Sequence, residues 1–423
     1  MIQKVIGTFS SKFLSAIINF LVVIIISRSL GAEGKGVSTI LMANIAVILI
    51  FCDLAGSAPM AFMVPRYSLK QLLYLSYGWN IIVCLISYLI LVLLKTDYAL
   101  ATASLVFFHS LGGINNSVLI GKEEIKQVNI LNIFKPLITI STLVLLYFYN
   151  GTLTFQTYLI ALYTSFILYF LISFSCISKN LTETFRTPYL NIFKDFLRFG
   201  SWNQSAHIFQ FLNFRISYYI IDQFAGKAPL GIYSNGLSII ESIWLIAQSI
   251  SLIQYSKIIN LNDTSKAIPI SIQAMKSAIV LTLLGCIFLC LLPARFYILM
   301  FGPEFETVKS IILIMIPGIL VFTFALVLGH HFSGTGRVRL NAEASFIGLL
   351  FTLVFGFLLI PLYGIRGAAI TANISYAATA GYVIFKFLSL TNTNITQFIP
   401  SKKDFQSIMS NINGLKTNAR KDK

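Results

Sequence analysis

Charge is scarce in this 423-residue chain, and acid is scarcer still. Asp, Glu, Lys and Arg make up only 11% of it, against about 25% in soluble domains. A soluble globular protein is excluded on that ground. Asp and Glu number 15 against 31 Lys and Arg, a net charge of +16. In a chain that is 57% hydrophobic, such an excess reflects cytoplasmic loops and anionic lipid, so no nucleic-acid partner is expected. Strand-length alternation of polar and apolar residues does not occur, which excludes a transmembrane barrel. The five cysteines, Cys52, Cys84, Cys176, Cys286 and Cys290, sit scattered in apolar runs, and an odd scattered set is neither a disulfide framework nor a metal site. His330 and His331 adjoin, but neighbours on a helix point about 100° apart, and no further ligand joins them. Neither a metal nor a cofactor is expected. There is no nucleophile–base pair, carboxylate dyad or phosphate loop at useful spacing, so no enzyme is expected either.

Long apolar runs are what the chain has in quantity. One crossing takes about 20 apolar residues, which predicts spans near 5–27, 37–58, 72–94, 98–120, 128–148, 153–177, 197–222, 230–256, 270–292, 306–331, 341–361 and 367–390. The first run has no small-residue cleavage site and is read as a span rather than a signal peptide. With the amino terminus in the cytoplasm, only Arg28, Lys35, Lys95, Lys227, Arg295, Lys309 and Arg366 fall outside. Lys135 and Arg215 lie within spans, and every other Lys and Arg faces the cytoplasm. That asymmetry predicts an even number of spans and both termini inside. The chain then divides into a six-helix lobe (1–177), a basic amphipathic linker along the cytoplasmic face (178–196), a second six-helix lobe (197–390) and a basic cytoplasmic tail (391–423).

The first polar break, "SRSLGAEGKGVSTI" (Ser27–Ile40), carries three glycines, and part of it recurs. In "DQFAGKAPLGIYSN" after span seven, Gly226 and Gly231 repeat the spacing of Gly31 and Gly36. Likewise Gly121–Lys122 after span four matches Gly336–Arg337 after span ten. The concordant order predicts a tandem six-plus-six repeat, its halves related by an axis along the membrane normal. In each break the first glycine can end a helix in a left-handed conformation and the second allows close packing.

Several polar side chains fall inside spans, where insertion of a charge costs about 2.5–3.5 kcal/mol and a protein or water-lined environment is expected. Asn203, His207, Gln210, Asn213 and Ser217 share one face of span seven. Arg215 lies off that face, placed either to pair with Asp222 or to face a cavity. Lys135 either snorkels to the cytoplasmic headgroups or turns inward. Arg28 either lines a cavity or pairs with Glu33 at the surface. Asp53, Glu241 and Glu343 are the acidic candidates, and His109, His207 and His330 the titratable imidazoles. A cavity lined by Arg28, Lys135, Arg215, His207, Asn203 and Gln210 suits pyrophosphate and sugars, because cationic donors bind phosphate and amides bind hydroxyls.

The stretches "SRSLGAEGKG", "GSWNQSAHIFQFLNFRISYYIIDQFAGKAPLGIYSNGLSI" and "PLYGIRGAAITANIS" resemble the polysaccharide and O-antigen flippases of the multidrug/oligosaccharidyl-lipid/polysaccharide (MOP) exporter superfamily. The resemblance covers essentially the whole chain. It implies an all-α polytopic fold of two six-helix lobes around a central cavity that opens alternately to each side. The implied substrate is an undecaprenyl-pyrophosphate-linked oligosaccharide, an O-antigen or capsule repeat unit, moved across the bacterial inner membrane. Other implied partners are membrane lipids, a coupling proton or sodium ion with Asp53 and Glu241 as its candidate carriers, and further polysaccharide-assembly proteins. The chain departs from the family at Arg215, where many relatives carry an acid. Two other readings remain open: a small-molecule exporter of the same superfamily and a membrane polysaccharide polymerase.

Overall fold

The computed structural model describes residues 2–178, 188–261 and 266–398. Among the described residues the chain is helical and without strands, as backbone in hydrocarbon must be when it cannot close a barrel. Helices α1 (Ile2–Cys52), α2 (Ser57–Met63), α3 (Leu69–Leu93), α4 (Ala99–Gly121), α5 (Ile125–Asn150) and α6 (Phe155–Ser178) are followed by α7 (Tyr189–Phe224), α8 (Lys227–Ile259), α9 (Ala267–Leu291), α10 (Ala294–Phe301), α11 (Val308–Gly334) and α12 (Arg339–Thr391).

Nine described helical stretches are long and apolar enough to cross a membrane. Two of them, Ser10–Met63 with 54 residues and Arg339–Thr391 with 53, exceed twice the length one crossing needs. Each breaks at a left-handed glycine, Gly31 (φ 67°) and Gly364 (φ 56°). Past each break the chain folds back. Val22 and Ile26 share a core cluster with Leu41 and Ile45. Beyond Gly364, a Cβ at Gly367 would lie 2.1 Å from the carbonyl oxygen of Leu359. The two long stretches therefore cross twice each, and the polar, 36-residue α7 completes the expected twelve.

The chain splits into two compact units. The first comprises Met1–Phe211, Gly226–Ile232 and Ile298–Phe305; the second comprises Leu212–Ala225, Tyr233–Tyr297 and Glu306–Lys423. Leu85, Leu89, Leu93 and Phe148 stand exposed along α3 and α5, which marks these faces as lipid-facing.

Linker residues 179–187 lie outside the described residues. Residues 189–196 form the opening turns of α7, with Ile192 and Phe196 buried among Met60, Met63, Leu72 and Val128 of the first unit. Side chains of that size contribute roughly 1.5–3 kcal/mol each when drawn out of water. Tyr67 donates a 2.5 Å hydrogen bond to Asp195 beside them.

The glycine repeat has a spatial meaning inside the first unit. Gly226, like Gly31, is left-handed, with φ 90°. A Cβ at Gly36 would lie 1.9 Å from the carbonyl oxygen of Lys227, and one at Gly231 would lie 2.0 Å from that of Ala32. Lys227 and Ala32 each directly follow a left-handed glycine, so the two breaks cross reciprocally, backbone on backbone. Glu304 joins them, accepting a 2.6 Å hydrogen bond from the Ala32 N–H. The second sequence match has no such counterpart. Gly121 is helical and pressed against Ala61, whereas Gly336 is left-handed in open space.

In the second unit, Asn373 bridges the interruption that Pro317 makes in α11, accepting from Gly318 N at 3.1 Å and donating to Ile314 O at 2.6 Å. A proline frees backbone hydrogen-bonding groups that must be met inside hydrocarbon, and this amide meets two of them. His331 pairs with Ser271 at 2.8 Å while His330 bonds the Leu326 carbonyl at 2.9 Å, so the adjacent histidines serve separate partners.

Candidate functional site

The first unit holds a cleft of about 290 Å³ lined by Lys12, Ser15, Asn19, Asn132 and Lys135. Lys12, Ser15 and Asn19 lie on one face of α1, at helical spacing. Asn132 and Lys135 lie three apart on α5, which packs against α1. The result is two ammonium groups, two carboxamides and a hydroxyl around one polar space.

Lys135 is half-buried, and it turns inward rather than to headgroups. Its Nζ lies 3.0 Å from His109 Nε2 and over the rings of Tyr169 and Phe166, at 5.6 Å and 6.0 Å from their centroids. Aromatic faces attract a desolvated ammonium at such distances. Ser165 anchors the backbone here by donating 2.7 Å to the Lys135 carbonyl. His109 stacks edge-on against Phe166, and its Nδ1 is buried without a hydrogen-bond partner among the described residues. Asp53 is half-buried at a helical break, the 3₁₀ turn Asp53–Ala55 between α1 and α2. It lies within electrostatic reach of Tyr169, so the break brings a carboxylate near the aromatic wall behind Lys135.

In the second unit, Arg215 and Glu241 are brought together. Arg215 donates to both carboxylate oxygens of Glu241, at 2.7 Å and 3.0 Å, and to the Tyr218 hydroxyl at 3.2 Å. The side chains are 25% and 28% exposed. The partner of Arg215 is thus on α8, not Asp222 on its own helix. Helix spacing offered Asp222 or a cavity as its surroundings, and the bidentate fork geometry available across α7 and α8 favours Glu241. Below the pair, Phe214, Trp244, Phe322 and Tyr376 form an aromatic cluster with centroids 4.8–6.0 Å apart.

The polar face of α7 does not act as one surface. His207 and Gln210 are exposed. The Asn203 side chain lies outside the described residues. Asn213 and Ser217 are buried, and Asn213 Oδ1 accepts 2.7 Å bonds from Thr352 and Ser375, which makes it a packing node inside the second unit. Arg28 is exposed; among the described residues it forms no ion pair with Glu33.

Lys12, Ser15, Asn19 and Asn132 escaped the sequence reading as site residues. Lys12 entered it only as a cytoplasmic charge, although the Ser–Asn stripe at helical spacing on α1 was there to find. No His, Cys, Asp and Glu grouping among the described residues could hold a metal ion.

Similarity to known proteins agrees with this architecture. No family model matches the chain. The capsular polysaccharide biosynthesis protein CapF of Staphylococcus aureus is 31% identical over 178 residues, 41% of this chain and 45% of that protein. The alignment thus spans less than half the length of that relative. Among solved structures, the lipid II flippase MurJ in an inward closed conformation superposes with a TM-score of 0.74 at 16% identity, over 94% of this chain and 89% of MurJ. An inward-facing multidrug resistance MATE transporter of the MOP superfamily gives 0.69 at 14% identity, over 92% of this chain and 99% of its own. The chain therefore has the fold of the MOP-superfamily transporters, the superfamily its sequence resembles.

Proposed function

We propose that this chain is a flippase that carries an undecaprenyl-pyrophosphate-linked oligosaccharide, an O-antigen or capsule repeat unit, across the bacterial inner membrane by alternating access. Both termini are cytoplasmic, and the lobes are 1–177 and 197–390. The observation that carries the reading is the cleft of Lys12, Ser15, Asn19, Asn132 and Lys135. Two cations with amide and hydroxyl groups suit a pyrophosphate carrying sugars, and they would repel the organic cations a drug exporter handles. The flippase fold and the capsule-related sequence relative support the same reading. Arg28, Arg215, His207, Asn203 and Gln210 complete the substrate path, with Asp53 and Glu241 as carriers of a coupling proton or sodium ion.

Deleting the gene and following surface polysaccharide tests the reading. Lipid-linked repeat units should accumulate on the inner leaflet, and the wild-type gene should restore export. Export at the normal rate without the gene contradicts it. Restored drug resistance with unchanged polysaccharide would move the chain to the exporters.

A further inference from the structure

Arg215 and Glu241 were read from the sequence as two separate roles, one for an anion and one for a proton. Their geometry joins the roles. Both ends of the guanidinium fork are occupied by the two oxygens of one carboxylate, at 2.7 Å and 3.0 Å. An arginine engaged in that way cannot also present its fork to a phosphate. Each partner is about a quarter exposed, so an incoming anion can reach the pair.

Among the described residues, the titratable groups that face Glu241 are Arg215 and Tyr218 from α7, Tyr233 from α8 and Tyr376 from α12. Arg215 is the one cation among them, and the rest are neutral phenols. A carboxylate that loses its cation in these surroundings keeps a desolvation cost that the phenols only partly offset. Protonation removes that cost. The charge count runs the same way: the closed pair is neutral, and Arg215 holding an anion beside ionised Glu241 would leave an uncompensated negative charge in a wall of aromatic rings.

We infer that Glu241 is a proton-operated release for Arg215: when its carboxylate takes up one proton, the guanidinium passes from Glu241 to a phosphate anion. Anion and proton then bind with positive cooperativity, and by linkage each raises the affinity for the other by the same factor. The step moves one proton onto a carboxylate oxygen and breaks no covalent bond. The inference rests on the proposed function for the identity of the anion, a pyrophosphate headgroup.

The test uses the full-length protein in lipid nanodiscs and inorganic pyrophosphate as the probe. Binding is measured calorimetrically at about pH 6 and about pH 8, in buffers of different ionisation enthalpy so that protons are counted. Glu241→Gln stands in for the protonated state, and the probe's own titration is common to both proteins. At the higher pH the variant should bind about tenfold tighter than wild type, a difference of one decade in Kd. The difference should narrow toward the lower pH, and over the range where it narrows wild type should take up more protons on binding than the variant. Arg215→Ala should abolish the difference. Equal affinities and equal proton counts at both pH values overturn the handover while leaving an anion-binding flippase intact. Pyrophosphate binding to neither protein, by contrast, counts against the proposed function itself. Infrared difference spectra of wild type alone give a second reading. Pyrophosphate should bring up a protonated carboxyl band, and a spectrum without it overturns the inference even if the variant does not fold.

Discussion

Gly231 meets the carbonyl oxygen of Ala32 so closely that a Cβ on it would lie 2.0 Å away, and Gly36 stands in the same relation to Lys227 at 1.9 Å. Neither helix bends there to relieve contact with a flexible side chain, because both obstacles are backbone. The crossing therefore exists only with glycine at both positions. Gly36→Ala and Gly231→Ala should each force the two segments apart. Each should lower the unfolding midpoint of the purified protein by several degrees, as overpacking costing about 1–3 kcal/mol does. Gly113→Ala is the control, since open space surrounds its Cβ position and alanine favours the helix. Equal midpoints for all three would show that the crossing is not a contact the protein depends on.

Glu304 caps the stretch of α1 that begins after Gly31, through Ala32 N at 2.6 Å. A carboxylate at a helix start satisfies an unpaired N–H and complements the helix dipole. Glu304→Ala should cost roughly 0.5–1 kcal/mol, read as a lower unfolding midpoint. Glu304→Gln should recover part of this because it keeps an acceptor. Faster amide exchange at Ala32 and its neighbours in the alanine variant is the local signature, and unchanged exchange there would remove the capping role.

The fate of the polar face on α7 can be separated by experiment. Asn213 binds Thr352 and Ser375 in the buried interior, so Asn213→Ala strands the Thr352 hydroxyl and leaves Ser375 with only the Gly348 carbonyl, at roughly 1–3 kcal/mol. The expected result is a less stable protein whose folded fraction transports normally. Gln210→Ala, on the exposed part of the face, should do the reverse, with stability unchanged and transport reduced. Matching effects of the two variants on both measurements would mean the face functions as a unit after all.

Arg28 is the sharpest test of the expected cation set, because it is exposed. Its replacement by alanine should leave stability unchanged, as a surface charge contributes about 0–1 kcal/mol. Transport by the folded protein should fall several-fold, and Arg28→Lys should restore only part of it, since the bidentate fork is lost. Full transport by the alanine variant would take Arg28 out of the substrate path.

The fold was largely legible in the sequence because hydrocarbon leaves so few options. Twelve apolar runs become twelve passes, and even the recurrence of Gly31 and Gly36 at Gly226 and Gly231 has a physical counterpart in the crossing. The sequence could not say that the paired glycines face each other, since spacing along one chain carries no information about which segment lies opposite. The same limit explains Arg215. Helix periodicity offered Asp222 on its own strand of sequence, while Glu241 enters only when α7 and α8 are side by side. Asn213 shows a related limit: a polar face that satisfies itself against Thr352 and Ser375 looks, in one dimension, like a face that meets substrate. The cleft on α1 was visible as a stripe of Ser and Asn, but Lys12 drew attention only as a topological charge.

The most direct measurement is transbilayer movement of a labelled lipid-linked oligosaccharide in proteoliposomes, compared between wild type and the double variant Lys12→Ala, Lys135→Ala. The two lysines line the cleft, and the account requires their charge for pyrophosphate. Wild type should move the label to the opposite leaflet well above protein-free vesicles, and the double variant, folded and inserted at matched amounts, should lose most of that rate. Movement by the double variant at the wild-type rate, or no movement by wild type above the protein-free background, would contradict the account.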